Sequence, residues 1–246
     1  MTPDYQYVWL AWASAFLVPW ALLYFLWPAL RQHMVRVSAA TSLLGLTEPI
    51  FVPEYWNPPT LFDLAQRTGF DIESFIFCFA IGGIGSVLYN ALARRELHPV
   101  PATERYAARH RLHALALMAP YFSFPLLYAL PWNVIYAGIT ALAIGATLNV
   151  LCRQELGRKT LLGGSLFLFL YAAFMAVLVA FAPGYVDQVW NLGDLSGVLI
   201  AGIPLEELAF GFAFGTYWAG LYEHFSWRAI GARTASTLVP QRGHHG

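Results

Sequence analysis

Charge is scarce in this chain: 11% of its 246 residues are Asp, Glu, Lys or Arg, against about 25% in an average soluble domain. That deficit excludes a disordered protein and argues against a soluble enzyme of this size. The formal net charge is zero, so no basic face is available for nucleic acid and long-range steering of an anionic partner has no support. Only two cysteines occur, Cys78 and Cys152, both in apolar runs, which excludes a disulfide framework and a multi-cysteine metal site. His110 and His113 are spaced i, i+3 without an evident third ligand, so no metal centre is expected. A single lysine, Lys159, is present, and no Gly-x-Gly-x-x-Gly dinucleotide motif.

What the chain has instead is apolar length. Hydrophobic residues make up 58% and aromatic ones 16%. Seven stretches of the kind that cross a bilayer, each near 20 mostly apolar residues, are read near Tyr7–Leu30, Val37–Val52, Phe70–Leu92, Leu112–Leu130, Asn133–Cys152, Leu161–Ala182 and Val198–Phe225. The first is too long and Trp-rich for a signal peptide. Prolines and glycines punctuate the gaps: Pro53, Pro58 and Pro59, Pro99 and Pro101, Pro131, Gly157, Pro183 and Gly184. The fold class expected is an all-α integral membrane protein of seven transmembrane helices.

Cations fix an orientation for that scheme. Alternate loops hold Arg31, Arg36, Arg94, Arg95, Arg105, Arg109, Arg111, Arg153, Arg158 and Lys159, and the C-terminal tail adds Arg228, Arg233 and Arg242; the opposite loops hold only Arg67. They also carry Asp4, Glu54, Asp63, Asp187 and Asp194. Positive residues stay cytoplasmic, which predicts an external N-terminus and a cytoplasmic C-terminus.

Two segments match at a shift of 133 residues, Gly69–Phe77 with Gly202–Phe210, and the match continues through Phe79/Phe212, Ala80/Ala213, Gly82/Gly215, Leu88/Leu221 and Tyr89/Tyr222. Upstream, Trp56-Asn57 corresponds to Trp190-Asn191 with one residue of slippage. The third and seventh stretches are then equivalents, and the chain divides into a three-helix repeat over 1–95, a linker and fourth helix over 96–130, a second three-helix repeat over 131–228 and a cytoplasmic tail over 229–246. Sites in repeat-built membrane proteins tend to lie between the repeats.

Ionisable groups inside such stretches are costly and usually functional. The candidates are Glu48, Asp71, Glu73, Glu206 and Glu207. Glu223 lies 17 residues after Glu206, about 26 Å along a helix, so Glu206, Glu73 and Glu48 form one layer toward the outer side, with no cation expected at that depth. A carboxylic acid beside a carboxylate is an acid/base pair. Structural readings stand beside this one. Asp71 has the place of a helix cap, Glu207 or Glu206 can be a hydrogen-bonding neighbour, and Glu48 precedes Pro49. Glu223 and His224 are expected to be solvated at the inner interface. Phe75, Phe77, Phe79, Phe210, Phe212, Phe214, Tyr217 and Trp218 either pack or line a pocket for a long apolar ligand, where an aromatic wall stabilises a cation. Trp56 and Trp190 are expected as interfacial anchors.

The run Pro204-Leu205-Glu206-Glu207-Leu208, followed by Phe210 and then Tyr222-Glu223, resembles the small membrane-type lycopene cyclase family in its fused two-repeat form. In the second half Trp190-Asn191, Gly197, Pro204, Glu206, Glu207, Phe210, Tyr222 and Glu223 fit its pattern. In the first half Asp71 replaces the proline, Ser74 the second glutamate and Asn90 the terminal glutamate, while Glu73 and Tyr89 remain. The family's acidic Trp-Asp element is absent, and Glu48 is the nearest substitute. The resemblance implies a cofactor-independent isomerase of carotenoid biosynthesis, a lycopene β-cyclase-like intramolecular lyase. An acid protonates the ψ end group of lycopene and a base removes a proton after ring closure. It implies catalytic roles for Glu206, Glu207, Glu73, Glu48 and Asp71, substrate contacts from Phe77, Phe210, Trp190, Asn191 and Tyr217, and an apolar polyene or other isoprenoid in the bilayer as partner.

Other classes fit less well. A retinal protein needs a Schiff-base lysine in a span, and Lys159 is expected in a cytoplasmic loop. A prenyltransferase wants acidic metal–diphosphate motifs on the cytoplasmic side. A proton-coupled transporter suits buried carboxylates at a repeat interface, and an isoprenoid-binding membrane protein is a further alternative.

Overall fold

The computed structural model describes residues 5–94 and 96–231; Asp4, Arg95, Arg233, Arg242 and the tail from 232 onward lie outside the described residues. The chain is mostly helical. The principal helices are α1 (Val8–Leu26, stepped at Phe16), α2 (Arg31–Ser42), α3 (Ile72–Leu92), α4 (His113–Tyr128), α5 (Val134–Cys152), α6 (Gly157–Phe181) and α7 (Leu205–Ser226). A 3₁₀ segment, Leu43–Thr47, and a short helix, Glu48–Phe51, prolong α2. Among the described residues, four helical stretches are long and apolar enough to cross a membrane, Val8–Leu26, Ile72–Leu92, Val134–Cys152 and Gln154–Phe181, which is compatible with a membrane protein. Their outward faces carry large apolar side chains such as Phe25, Phe169 and Phe181.

Several boundaries differ from the sequence reading for local reasons. The helix of the last stretch starts at Leu205, because Val198–Pro204 folds into a tight hairpin of β2 (Leu199–Ile200) and β3 (Ile203–Pro204), introduced after β1 (Glu96–Pro99). Pro204, lacking a backbone N–H, then sits just before the helix, where no donor is needed. α6 begins at Gly157, four residues before the apolar run at Leu161, so Lys159 belongs to a helix and is buried; the expectation of a loop position for this lysine is overturned. α4 stays helical through Pro120 and Pro125. Tyr217 donates to the Leu117 carbonyl in the turn before Pro120 (2.6 Å), and Ser123 Oγ donates to the Ala119 carbonyl (2.8 Å).

α3 and α7 run through the centre. α2 packs along α3, α6 along α7, and the α4–α5 hairpin against α7. Close approach at the two flanks uses small residues in a reciprocal pattern. A Cβ on Gly83 of α3 would fall 2.3 Å from Ser38 Oγ of α2, and one on Gly164 of α6 would fall 2.2 Å from Thr216 of α7. Likewise Gly82 meets Thr41 and Gly215 meets Phe167. At one end of the bundle Trp56 and Trp190 form an antiparallel bridge, flanked by two matched bonds, Asn57 N–H to Val189 O (2.8 Å) and Asn191 N–H to Tyr55 O (3.0 Å). At the other end β1 pairs antiparallel with β4 (Arg228–Gly231), joining the segments that follow α3 and α7.

Candidate functional site

Near the Trp56–Trp190 bridge the helices enclose a cavity of about 300 Å³. That is the low end of ligand-binding cavities, about 300–1,000 Å³. Trp9, Trp12, Phe77, Tyr171, Phe210, Phe214, Tyr217 and Trp218 supply much of its wall, and two acids reach it, Glu48 and Glu207.

Glu207 is buried and held from three directions. Tyr55 Oη and Trp190 Nε1 donate to Oε1, the latter at 2.8 Å, and Tyr171 Oη donates to Oε2. An ionised carboxylate is acceptor-only, and these donors occupy both of its oxygens. Tyr55 lies in the connection after the short helix Glu48–Phe51; burial and the neighbouring Glu207 push its phenol well above its ordinary pKa, so it remains a donor at neutral pH. Glu48 contrasts with Glu207. Its carboxyl lies beside Ser74 and Trp56 and is buried, and Oε1 has no hydrogen-bond partner among the described residues. An unpaired buried oxygen is costly in a fold and has meaning where a ligand or a proton is to be met.

The other expected acids are placed elsewhere. Glu206 turns from the cavity toward the loop before β2, and its Oε1 accepts from Tyr136 Oη (2.7 Å) and the Ser196 N–H (2.8 Å). Glu73 does the same in the first half, Oε1 accepting from the Leu61 N–H (2.7 Å). Neither lines the cavity. Asp71 caps α3, accepting from the Ser74 N–H and, at 3.1 Å, from Ser74 Oγ. Among the expected substrate contacts, Phe77, Phe210, Trp190 and Tyr217 line the cavity. Asn191 does not: it is exposed and its Nδ2 donates to Asp194 Oδ2 (2.6 Å). Trp190 is buried at 4% exposure, because its indole is spent on Glu207 rather than on an interface.

Tyr55 and Tyr171 are residues that sequence reasoning missed. Tyr55 directly precedes the Trp56-Asn57 element, which is a usable signal; Tyr171 is one aromatic among many in α6, and nothing in its local sequence marks it.

A second buried polar group lies toward the β1–β4 end. Glu223 and Lys159 form an ion pair, both inaccessible. Asn90 Nδ2 donates to Glu223 Oε1 (2.8 Å), and His33 is stacked on Tyr222 with ring centroids 3.6 Å apart. Arg153 donates to the backbone carbonyls of Glu223 (2.6 Å) and Arg228 (3.0 Å) and pairs with Glu155. Glu223 and His224 are thus fully buried, and the expectation that they are solvated is corrected. Glu223 is tolerated inside because Lys159, on the first turn of α6, faces it; an uncompensated buried carboxylate would be strongly disfavoured.

A helical bundle with apolar outer faces and an aromatic cavity holding two buried acids defines a class of protein built to handle an apolar ligand near ionisable groups. Comparison with protein families narrows the class: residues 133–225 match the model of the lycopene cyclase family. That stretch of the second half is thus similar to the lycopene cyclase family, and it contains Tyr171, Trp190, Glu207, Phe210 and Tyr217 of the cavity. No curated protein and no solved structure matches the chain.

Proposed function

We propose that the protein is a carotenoid end-group cyclase, converting the acyclic end of a lycopene-type polyene into a β-ionone ring by proton-initiated, non-redox isomerisation. The observation that carries this reading is the aromatic cavity with two unlike acids, Glu48 with its Oε1 free of any hydrogen bond among the described residues and Glu207 fixed by three donors. Glu48, as a carboxylic acid, gives its proton to C2 of the ψ end. The C1–C2 π electrons form the new C–H bond and leave a cation at C1. The C5–C6 π electrons close the C1–C6 bond and move the charge to C5. Loss of the C6 proton to the Glu207 carboxylate restores a C5–C6 double bond, and the proton returns to Glu48 between turnovers. Tyr55, Tyr171 and Trp190 orient the base. The ring faces of Phe77, Phe210, Tyr217 and Trp218 stabilise the passing cation and keep out the water that would quench it. The net change is an isomerisation, so no cofactor is required. Glu206, Glu73 and Asp71 are assigned to the frame: the first two pin the outer loops and the third caps α3.

The same reading treats the chain as seven spans, two parallel three-helix units joined through α4, with the N-terminus outside. α2, α4 and α7 then cross as well, α7 despite its three glutamates. The matched bonds about Trp56 and Trp190 and the reciprocal glycine contacts support the two-unit arrangement.

The test is expression in lycopene-accumulating cells with pigment analysis and measured protein levels. Cyclic end groups are expected. Well-expressed protein that leaves lycopene untouched overturns the cyclase reading. A second reading, a proton-coupled transporter, is favoured by the buried Lys159–Glu223 pair lying away from Glu48 and Glu207; it predicts substrate-dependent proton uptake into proteoliposomes.

A further inference from the structure

The β1–β4 end holds a cluster that the proposed cyclisation does not use. His110 closes a 3₁₀ turn, His113 opens α4 and Cys152 closes α5. Because α4 and α5 form an antiparallel hairpin, the start of one and the end of the other meet. His110 Nδ1 lies 3.4 Å from Cys152 Sγ, and His113 Nδ1 lies 3.6 Å from the same sulfur. All three donor atoms fall within 4.8 Å of one another. A tetrahedral zinc ion with Zn–S near 2.3 Å and Zn–N near 2.0–2.1 Å holds its sulfur and nitrogen ligands about 3.5 Å apart, and both observed separations match.

A second observation fixes the chemistry of one ligand. His113 Nε2 is 3.1 Å from the backbone carbonyl of His224. A carbonyl only accepts, so Nε2 carries the proton and Nδ1, on the sulfur side, carries the lone pair. This is the outer hydrogen bond that a metal-binding imidazole typically makes, which sets its tautomer and ring plane. The ring is further held between Trp227 and His224, with centroid distances of 3.9 and 4.0 Å. Arg153, the nearest buried positive group, is directed to Glu155 and to the carbonyls of Glu223 and Arg228.

We propose that His110, His113 and Cys152 bind a borderline-soft transition-metal ion, Zn²⁺ being the ion that suits one thiolate and two imidazoles. The ion ties the entry of α4 to the exit of α5, with water at the fourth corner of the tetrahedron. The proposal is independent of the cyclase reading.

The test uses the full-length protein in detergent, purified without a polyhistidine tag, stripped with chelator and dialysed against Zn²⁺ or Co²⁺. One equivalent per chain is expected by elemental analysis, and the Co²⁺ form should show tetrahedral d–d bands and a sulfur-to-cobalt charge-transfer band. Zn²⁺ should slow alkylation of Cys152. Cys152→Ser and His113→Gln should each weaken binding by more than the 10–100-fold typical of losing an outer-shell partner, and Cys152→Ser should abolish the charge-transfer band. His244→Ala with His245→Ala, in the tail, should leave all readouts unchanged. Less than about a tenth of an equivalent bound, or a cobalt spectrum without the thiolate band, overturns the proposal and leaves a thiol–imidazole hydrogen-bond cluster. Binding lost with the tail histidines instead of Cys152 overturns it as well. The spectrum and alkylation of the unaltered protein stand even if a ligand variant fails to fold.

Discussion

The two halves of the chain place different chemistry at matching positions. At the shift of 133 residues, Ser74 of α3 aligns with Glu207 of α7, and Asn90 with Glu223. The glycine contacts Gly83–Ser38 and Gly164–Thr216, and Gly82–Thr41 and Gly215–Phe167, make Ser38 the counterpart of Gly164 and Thr41 that of Phe167 at a shift of about 126 residues, a shift that also sets His33 against Lys159. At Ser74/Glu207, Asn90/Glu223 and His33/Lys159 the second half carries the charged residue and the first half a neutral or weaker counterpart, whereas at Asp71/Pro204 the acid is in the first half. The reason is visible where the halves touch. Asn90 donates directly to Glu223; a glutamate in place of Asn90 would set two carboxylates against each other at hydrogen-bond distance in a buried site. Asn90 in the first half therefore complements Glu223 of the second across a shared interior.

The largest effect expected from breaking this asymmetry is at the buried pair. Lys159→Met leaves Glu223 without its cation, and removing one partner of a buried pair costs about 3–5 kcal/mol. Membrane abundance and thermal stability in detergent should fall sharply. Lys159→Met with Glu223→Gln should recover most of the loss, since no uncompensated charge remains. Failure of the double variant to recover would show that the pair serves something other than charge balance. Asn90→Glu sharpens the comparison from the other side: it should destabilise through like-charge contact, and His33→Lys, a second cation from the corresponding position, should partly restore it.

At the cavity the comparison is between Glu207 and Ser74. Glu207→Gln should reduce cyclisation by about 10²–10⁴, the range for losing general acid–base help, with a moderate loss of stability because both oxygens of Glu207 face donors. Glu48→Gln should cost a similar factor in rate with little change in abundance, since Oε1 of Glu48 makes no hydrogen bond among the described residues. Ser74→Ala should matter far less to rate. Tyr171→Phe removes one of the donors that orient Glu207; about 1 kcal/mol of stability and a rate loss near tenfold are expected, read by thermal melting and pigment conversion.

The sequence made the helical, apolar character and most helix positions legible, because runs such as Ile72–Leu92 and Val134–Cys152 are long and bounded by turn residues. The recurrence of Trp-Asn and of the acidic helix start pointed to the end of the bundle where the Trp56–Trp190 bridge and the cavity lie. What stayed hidden was direction. Glu206 and Glu207 are adjacent, about 100° apart around a helix, and only packing decides which faces inward. Lys159 lay outside an apolar window starting at Leu161, although one turn of helix brings it to Glu223. Cys152 as third partner of His110 and His113 required the α4–α5 hairpin, since it is far away in sequence.

The smallest effect is expected at Glu206, the residue that the Pro-x-Glu-Glu pattern brings forward most strongly. Tyr136 Oη and the Ser196 N–H both donate to its Oε1, and the Ser196 side chain lies against the same carboxyl. A glutamine can place its carbonyl oxygen there and keep both, leaving its amide to the other side. At Glu207 the same replacement must point an NH₂ at a donor, because Tyr55 and Trp190 use one oxygen and Tyr171 the other. Glu206→Gln should therefore keep cyclisation within about threefold of the unaltered protein, and its stability within the ±0.5 kcal/mol usual for substitutions that disturb no such feature. Glu206→Ala, which removes the acceptor, should loosen the Ser196 loop at a cost of about 1–3 kcal/mol. Pigment conversion and thermal melting of the Gln and Ala variants side by side separate a frame from a proton donor. A loss of 10²-fold or more in Glu206→Gln, with melting unchanged, would return the catalytic proton to Glu206 and break the assignment to Glu48 and Glu207.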